Sequence, residues 1–165
     1  MAGEAILPGR LIGGDHYNPF TGTIHIYSDV PAIALHEGGH AKDFTRRKLP
    51  GTYAVVTALP FGNLWPEAIA TGDALAYAEQ QEDPDLEREG YRILYPAYGT
   101  YVGGSIGDYV VPVAFPIYAG AVVAGHAVGR IQARMVPDAD LDNAIAGDDV
   151  KLLPEVQVSH EEPAE

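Results

Sequence analysis

Apolar and polar residues alternate along Thr21 to Ser28, where Ile24 and Ile26 are interleaved with Thr23, His25 and Tyr27. That is the period of a half-buried strand. A short run, Arg10 to Gly14, precedes it across the turn-forming stretch GGDHYNPF, so the pattern predicts a β-hairpin. The period then lengthens. Val30, Ile33, Ala34, Leu35, Ala41 and Phe44 make one apolar face of a helix that Ser28 or Asp29 would cap and Pro31 would open. Arg46, Arg47 and Lys48 complement its dipole, and Leu49-Pro50-Gly51 stops it. Thr52 to Leu59 is apolar and fits strand or helix equally. After the turn Phe61-Gly62-Asn63, a second helix is expected from Pro66 to Gln81, with Ala70, Ala74, Tyr77 and Ala78 on one side.

The second half changes character. Tyr91 to Gly107 is rich in Tyr and Gly, with Gly99, Gly103 and Gly107 four residues apart, and Gly125 and Gly129 repeat that spacing within Tyr109 to Gly129. Small residues so placed let helices approach closely. The fold expected is α+β: mainly helical, with a small N-terminal β-hairpin and a C-terminal glycine-rich helical hairpin. Residues 1–84 would form the core, 85–136 the hairpin, and 137–165, which reads DADLDNAIAGDD and then LPEVQVSHEEPAE, an acidic and disordered tail. A strand almost at Met1 would suit a domain completed by chain upstream.

With 165 residues, 47% of them hydrophobic, the chain suffices for one core. Its net charge of −13 argues against a nucleic-acid partner. With no cysteine, neither a disulfide framework nor a thiolate metal site is available, and MAGEAILPGR lacks the form of a cleavable secretory signal.

The chemistry concentrates in Ala32 to Phe44, AIALHEGGHAKDF. His36 and His40, one helical turn apart, present two imidazoles on one face, the spacing at which both reach one Zn2+ ion. Glu37 is rotated off that face and is placed to act as general base. Gly38 and Gly39 each cost about 1 kcal/mol of helix propensity, which suggests that another segment approaches closely there. Catalytic zinc needs a third protein ligand and an open position. The oxygen donors on offer are Glu67, Asp73 and Asp43, and the remaining histidines are His16, His25, His126 and His160. Asp73 lies about 240° around a helix from Glu67, so the two cannot share one ion. Asp43, three residues after His40, could instead accept a hydrogen bond from a ligand imidazole, or be a solvated acid.

HEGGH, the preceding strand TIHIYSD and the helix start PEAIA resemble the gluzincin peptidases. The likeness covers about Thr21 to Glu79 and extends to minigluzincin-like proteins and to membrane-bound peptidases acting on prenylated or misfolded membrane proteins. A metzincin would need a third histidine where Arg46 stands. The resemblance implies a zincin-like domain with zinc held by His36, His40 and Glu67, and Glu37 activating a zinc-bound water to hydrolyse a peptide or protein substrate. An aspzincin arrangement would use Asp73 instead. In gluzincins an Asp follows the Glu by one turn, and Thr71 stands there. The family's oxyanion donor is a Tyr or His beyond the third ligand, which leaves Tyr77, Tyr91, Tyr95 and His126 as candidates. The edge strand before the motif would hold an extended peptide.

Between Tyr109 and Gly129 there is no formal charge, and His126 is the one titratable polar group apart from the tyrosines. Residues 91–129 therefore suit either membrane association or packing over the catalytic half. Pro112, Pro116, Ser105 and Asp108 weigh against insertion. If it is inserted, Arg88, Arg92, Arg130 and Arg134 would place the active site on the cytoplasmic side; otherwise the protein is cytoplasmic. Two rival readings follow. One is a non-catalytic zinc-binding or structural protein, and the other a small glycine-zipper-like membrane protein that forms homo-oligomers and carries the motif incidentally.

Overall fold

The computed structural model describes residues 14–138 apart from Pro60, Asp108, Val111 and Pro112. Their architecture is α+β and mainly helical. Strands β1 (His16–Asn18) and β2 (Thr23–His25) form an antiparallel hairpin with His16 opposite His25 and Tyr17 opposite Ile24. The Asn18 side chain closes the turn, accepting the Phe20 N–H at 3.0 Å and the Thr21 N–H at 3.3 Å, and Gly22 takes the left-handed conformation at φ 66°. The second strand is shorter than its alternating pattern. Beyond His25 the chain is held by Asp15, whose carboxylate accepts the backbone N–H groups of Tyr27 and Ser28.

Helix α1 (Pro31–Thr45) carries the His-Glu-x-x-His motif. Its cap differs from expectation. Ser28 is committed to Asp15 through its hydroxyl, Val30 occupies the capping position, and no local side chain caps the helix. Instead Glu89, 57 residues further on, accepts the Ala32 N–H at 3.0 Å and sets a carboxylate at the positive end of the dipole. The ambiguous stretch resolves as helix α2 (Pro50–Thr57), with Pro50 in its first turn, so that proline opens an element as well as ending the previous one. Helix α3 (Leu64–Gln80) starts two residues before the expected proline.

The two central helices cross at a glycine. A Cβ added to Gly39 would lie 2.7 Å from the Ala70 Cα, whereas one at Gly38 would meet nothing within 4 Å. Only the second glycine answers the packing argument. Around this crossing the core is built of small residues, Ala32, Ala70, Ala74 and Ala78, with Phe44 and Leu94.

Helix α4 (Pro84–Gly107) begins seven residues before the Tyr/Gly-rich run and lies against α1 and α3. Gly90 sits on Leu75, and the Tyr98 hydroxyl reaches the Leu64 carbonyl at 3.5 Å. Helix α5 (Ala114–Met135) packs on the outer side of α4. Here the four-residue glycine spacing is realised as backbone contact: a Cβ at Gly103 would lie 2.7 Å from the Tyr118 Cα, at Gly125 2.6 Å from the Tyr95 carbonyl, and at Gly129 2.2 Å from the Tyr91 carbonyl. Among the described residues α5 alone is long and apolar enough to cross a membrane, and only 6% of its most apolar window is buried. Arg88 binds the chain just after α5, donating to the Val136 and Pro137 carbonyls at 3.0 Å. The acidic tail expected from residue 137 lies outside the described residues beyond Asp138.

Candidate metal centre

The α1–α3 crossing brings three donor groups to one point. His36 Nε2 stands 3.1 Å from His40 Nε2 and 3.1 Å from Glu67 Oε2, and His40 Nε2 is 3.5 Å from Glu67 Oε1. A tetrahedral zinc ion at its usual bond lengths holds its donors about 3.3 to 3.4 Å apart. The triangle therefore has the size the ion requires, and its donor set of two imidazoles and a carboxylate suits a borderline metal. It is also the one group of three such residues among those described that could hold a metal. The contact between Gly39 and Ala70 sets the distance between the helices, because Gly39 lies between His36 and His40 and Glu67 lies about one turn before the alanine.

The three groups are largely buried and polarise one another. Burial pushes the Glu67 carboxyl up, but hydrogen bonds from His36 and His40 outweigh it and bring the group down to about 2. For His40, burial favours the neutral ring, yet the bond and charge of Glu67 prevail and raise it. The Thr71 hydroxyl lies 3.4 Å from His36 Nδ1, at the long end of a hydrogen bond. Accepting an Nδ1–H there would fix the tautomer that leaves Nε2 free as a ligand.

Glu37 is buried beside the cluster. Loss of water raises its carboxyl above the ordinary range, offset in part by His40 and His36 and by the Tyr17 backbone N–H. It lines a cavity of about 270 Å3 with His40, Glu67, Phe44, Ala54 and Tyr101, and Asp15, His16, Tyr17 and Pro19 line it from the hairpin side. The strand bordering this cavity is therefore β1, not the strand immediately before the motif. His25 stacks on His16 with ring centroids 4.7 Å apart.

Several expected residues stand elsewhere. Asp43 holds no ligand imidazole: it accepts from the Arg47 guanidinium, one turn later, and from the Tyr53 hydroxyl at 2.6 Å, and so ties α1 to α2. A guanidinium is a stronger, charge-assisted donor than an imidazole N–H, and Arg47 also lies over the Tyr53 ring at 4.2 Å. Asp73 is on the far side of α3, paired with Lys42 at 2.6 Å. Tyr77 shares that far side, lining a separate cavity with Asp73 and Lys42. Tyr91 and Tyr95 pack against each other at the α4–α5 contact, and His126 is exposed on α5. None of these six residues is part of the donor triangle. His160 lies outside the described residues.

The residue that does face it is Tyr101 on α4. Though 39% exposed at its outer edge, it lines the same cavity as Glu37, His40 and Glu67, and partial loss of water there, with the charges of Glu67 and Glu37, raises its pKa well above the ordinary phenol. Tyr101 sits two residues from both Gly99 and Gly103, about 200° around the helix, so the glycine stripe that fixes the α5 side also fixes which side points inward. Ser105, four residues on, obeys the same rule and donates to Asn63 at 3.4 Å. No protein-family model, no curated protein and no solved structure matches this chain.

Proposed function

We propose that the chain is a zinc-dependent metallopeptidase of gluzincin type, with His36, His40 and Glu67 holding the ion. The observation that carries this reading is the triangle of donors at zinc-ligand separation with a buried Glu37 beside it, lining the same cavity. Bound zinc supplies Lewis acidity and lowers the pKa of a water in its open position to about 7. Glu37 takes the proton of the attacking water and delivers it to the leaving amine, a role open to a carboxylate that lines the same cavity as the ligands. The Tyr101 hydroxyl, aimed at the same space from α4, donates to the oxygen on which negative charge develops. An extended peptide is held along β1, which borders the cavity, by backbone hydrogen bonds.

The test is metal content and peptide hydrolysis measured together on wild type, His40→Ala, Glu67→Ala and Glu37→Gln. One zinc per chain is expected in wild type, lost in His40→Ala and weakened in Glu67→Ala. Glu37→Gln is expected to keep its zinc and lose hydrolysis by a factor on the order of 10³. Wild type that takes up no zinc on reconstitution would overturn the reading; zinc with undiminished turnover in Glu37→Gln would overturn the role of that residue.

A further inference from the structure

The described part of the molecule is polarised in charge along its helices. No formally charged residue occurs between Lys48 and Glu67, and between Arg92 and Arg130 Asp108 is the single one. These two stretches meet at one end. Ser105 binds Asn63, Phe61 stacks on Tyr109 with centroids 5.2 Å apart and planes within 10°, and Gly107 abuts Ala114 at the start of α5. The other end gathers the α3–α4 connection, with Glu79, Glu82, Asp83, Asp85 and Glu87, together with Arg130 and Arg134 of α5. Among the described residues this sparsely charged end is not covered. Phe115 is 78% exposed, Trp65 64% and Val55 62%, and Leu59, Phe61 and Tyr109 are exposed beside them.

We propose that this end of the molecule docks on the surface of a lipid bilayer of zwitterionic headgroups. Two features select that occupant. Trp65 and Tyr109 are exposed within the apolar patch, and such amphipathic rings suit the headgroup boundary, where one edge stays wet. A second copy of a chain with net charge −13 is repelled, and so is an anionic lipid surface. The donor cavity also opens this way: it shares Thr57, Ala58, Asn63 and Tyr101 with a neighbouring cavity of about 490 Å3 that Leu59 and Phe61 border. Resting on the proposed peptidase activity, the substrates are then peptide segments that lie at a bilayer surface.

Trp65 is the only tryptophan in the chain, so its fluorescence reports this end without labelling. Phosphatidylcholine vesicles are expected to shift its emission to the blue and to sediment the protein, with no loss of binding at about 0.5 M salt. The double variant V55E/F115E, both positions exposed, is expected to lose at least a hundredfold in partition while its helical circular dichroism and zinc content are unchanged. His40→Ala is expected to partition like wild type, so loss of the metal site and loss of the docking surface are read separately. Absence of a shift and of sedimentation overturns the proposal. So does a blue shift that grows with protein concentration without lipid, which would assign the surface to a second copy, or binding to anionic vesicles alone that salt abolishes. Partition without any peptide hydrolysis upholds the surface and overturns the activity.

Discussion

The molecule brings helix backbones into contact at two places, and they serve opposite ends. At the α1–α3 crossing a single glycine, Gly39, lets the ligand helix settle on Ala70, and the nearness is spent on gathering three buried polar groups. Along α4 and α5 a ladder of glycines, among them Gly103, Gly125 and Gly129, produces contact as close, and among the described residues no metal-ligating cluster gathers there. Close approach is thus a neutral device. What it yields depends on which side chains flank the glycine: histidines at the first crossing, alanine, valine and tyrosine at the second.

The comparison is broken most severely by Gly39→Ala. The new Cβ would meet backbone, which cannot swing aside, so the helices must part and the donor triangle must widen. A stability loss of about 3 kcal/mol is expected by chemical denaturation, with zinc affinity at least about tenfold weaker by competition with a chelator. Tyr101→Phe sharpens it from the chemical side: removing one transition-state donor is expected to lower kcat by about a hundredfold, with KM and zinc stoichiometry nearly unchanged. Gly129→Ala strikes the second contact instead. Because the added carbon would stand 2.2 Å from the Tyr91 carbonyl, about 2 kcal/mol of stability should be lost while the zinc stoichiometry stays at the wild-type value. The smallest expected effect has the reverse sign. Burial raises the Glu37 carboxyl above its ordinary 4.5, so its charged form opposes folding. Metal-free Glu37→Gln should therefore be more stable than metal-free wild type by about 1 kcal/mol near neutral pH. That gain should shrink as pH falls through the raised value, where wild-type Glu37 becomes neutral as well.

Which parts of this arrangement are legible in the sequence follows from how local their causes are. The His-Glu-x-x-His spacing, the alternation in Thr23 to Tyr27 and the glycine period are local, and each corresponds to an element in place. The capping of α1 is not local: Ser28 is a good cap by type, but Asp15 claims it and a distant Glu89 serves instead. Asp43 shares the ligand face by helical arithmetic, yet a side chain bends toward its strongest donor, and Arg47 lies one turn away. Tyr101 could have been found. The stripe of Gly99 and Gly103 marks one face of α4, and a large polar residue midway between them must look the other way. What that glycine-free face meets is not local, because it depends on α4 lying on α3.

The bond that the Ala32 N–H donates to Glu89 bears on the order of events during synthesis. A nascent chain that has emerged as far as Glu67 already carries all three donors, but the first turn of its ligand helix lacks its carboxylate, and α4 is not yet present to back the crossing. Vectorial synthesis would then separate possession of the ligands from the ability to use them. Metal capture is expected to wait until roughly the first turns of α4 have docked, so the ion would seal a structure assembled by packing instead of nucleating it.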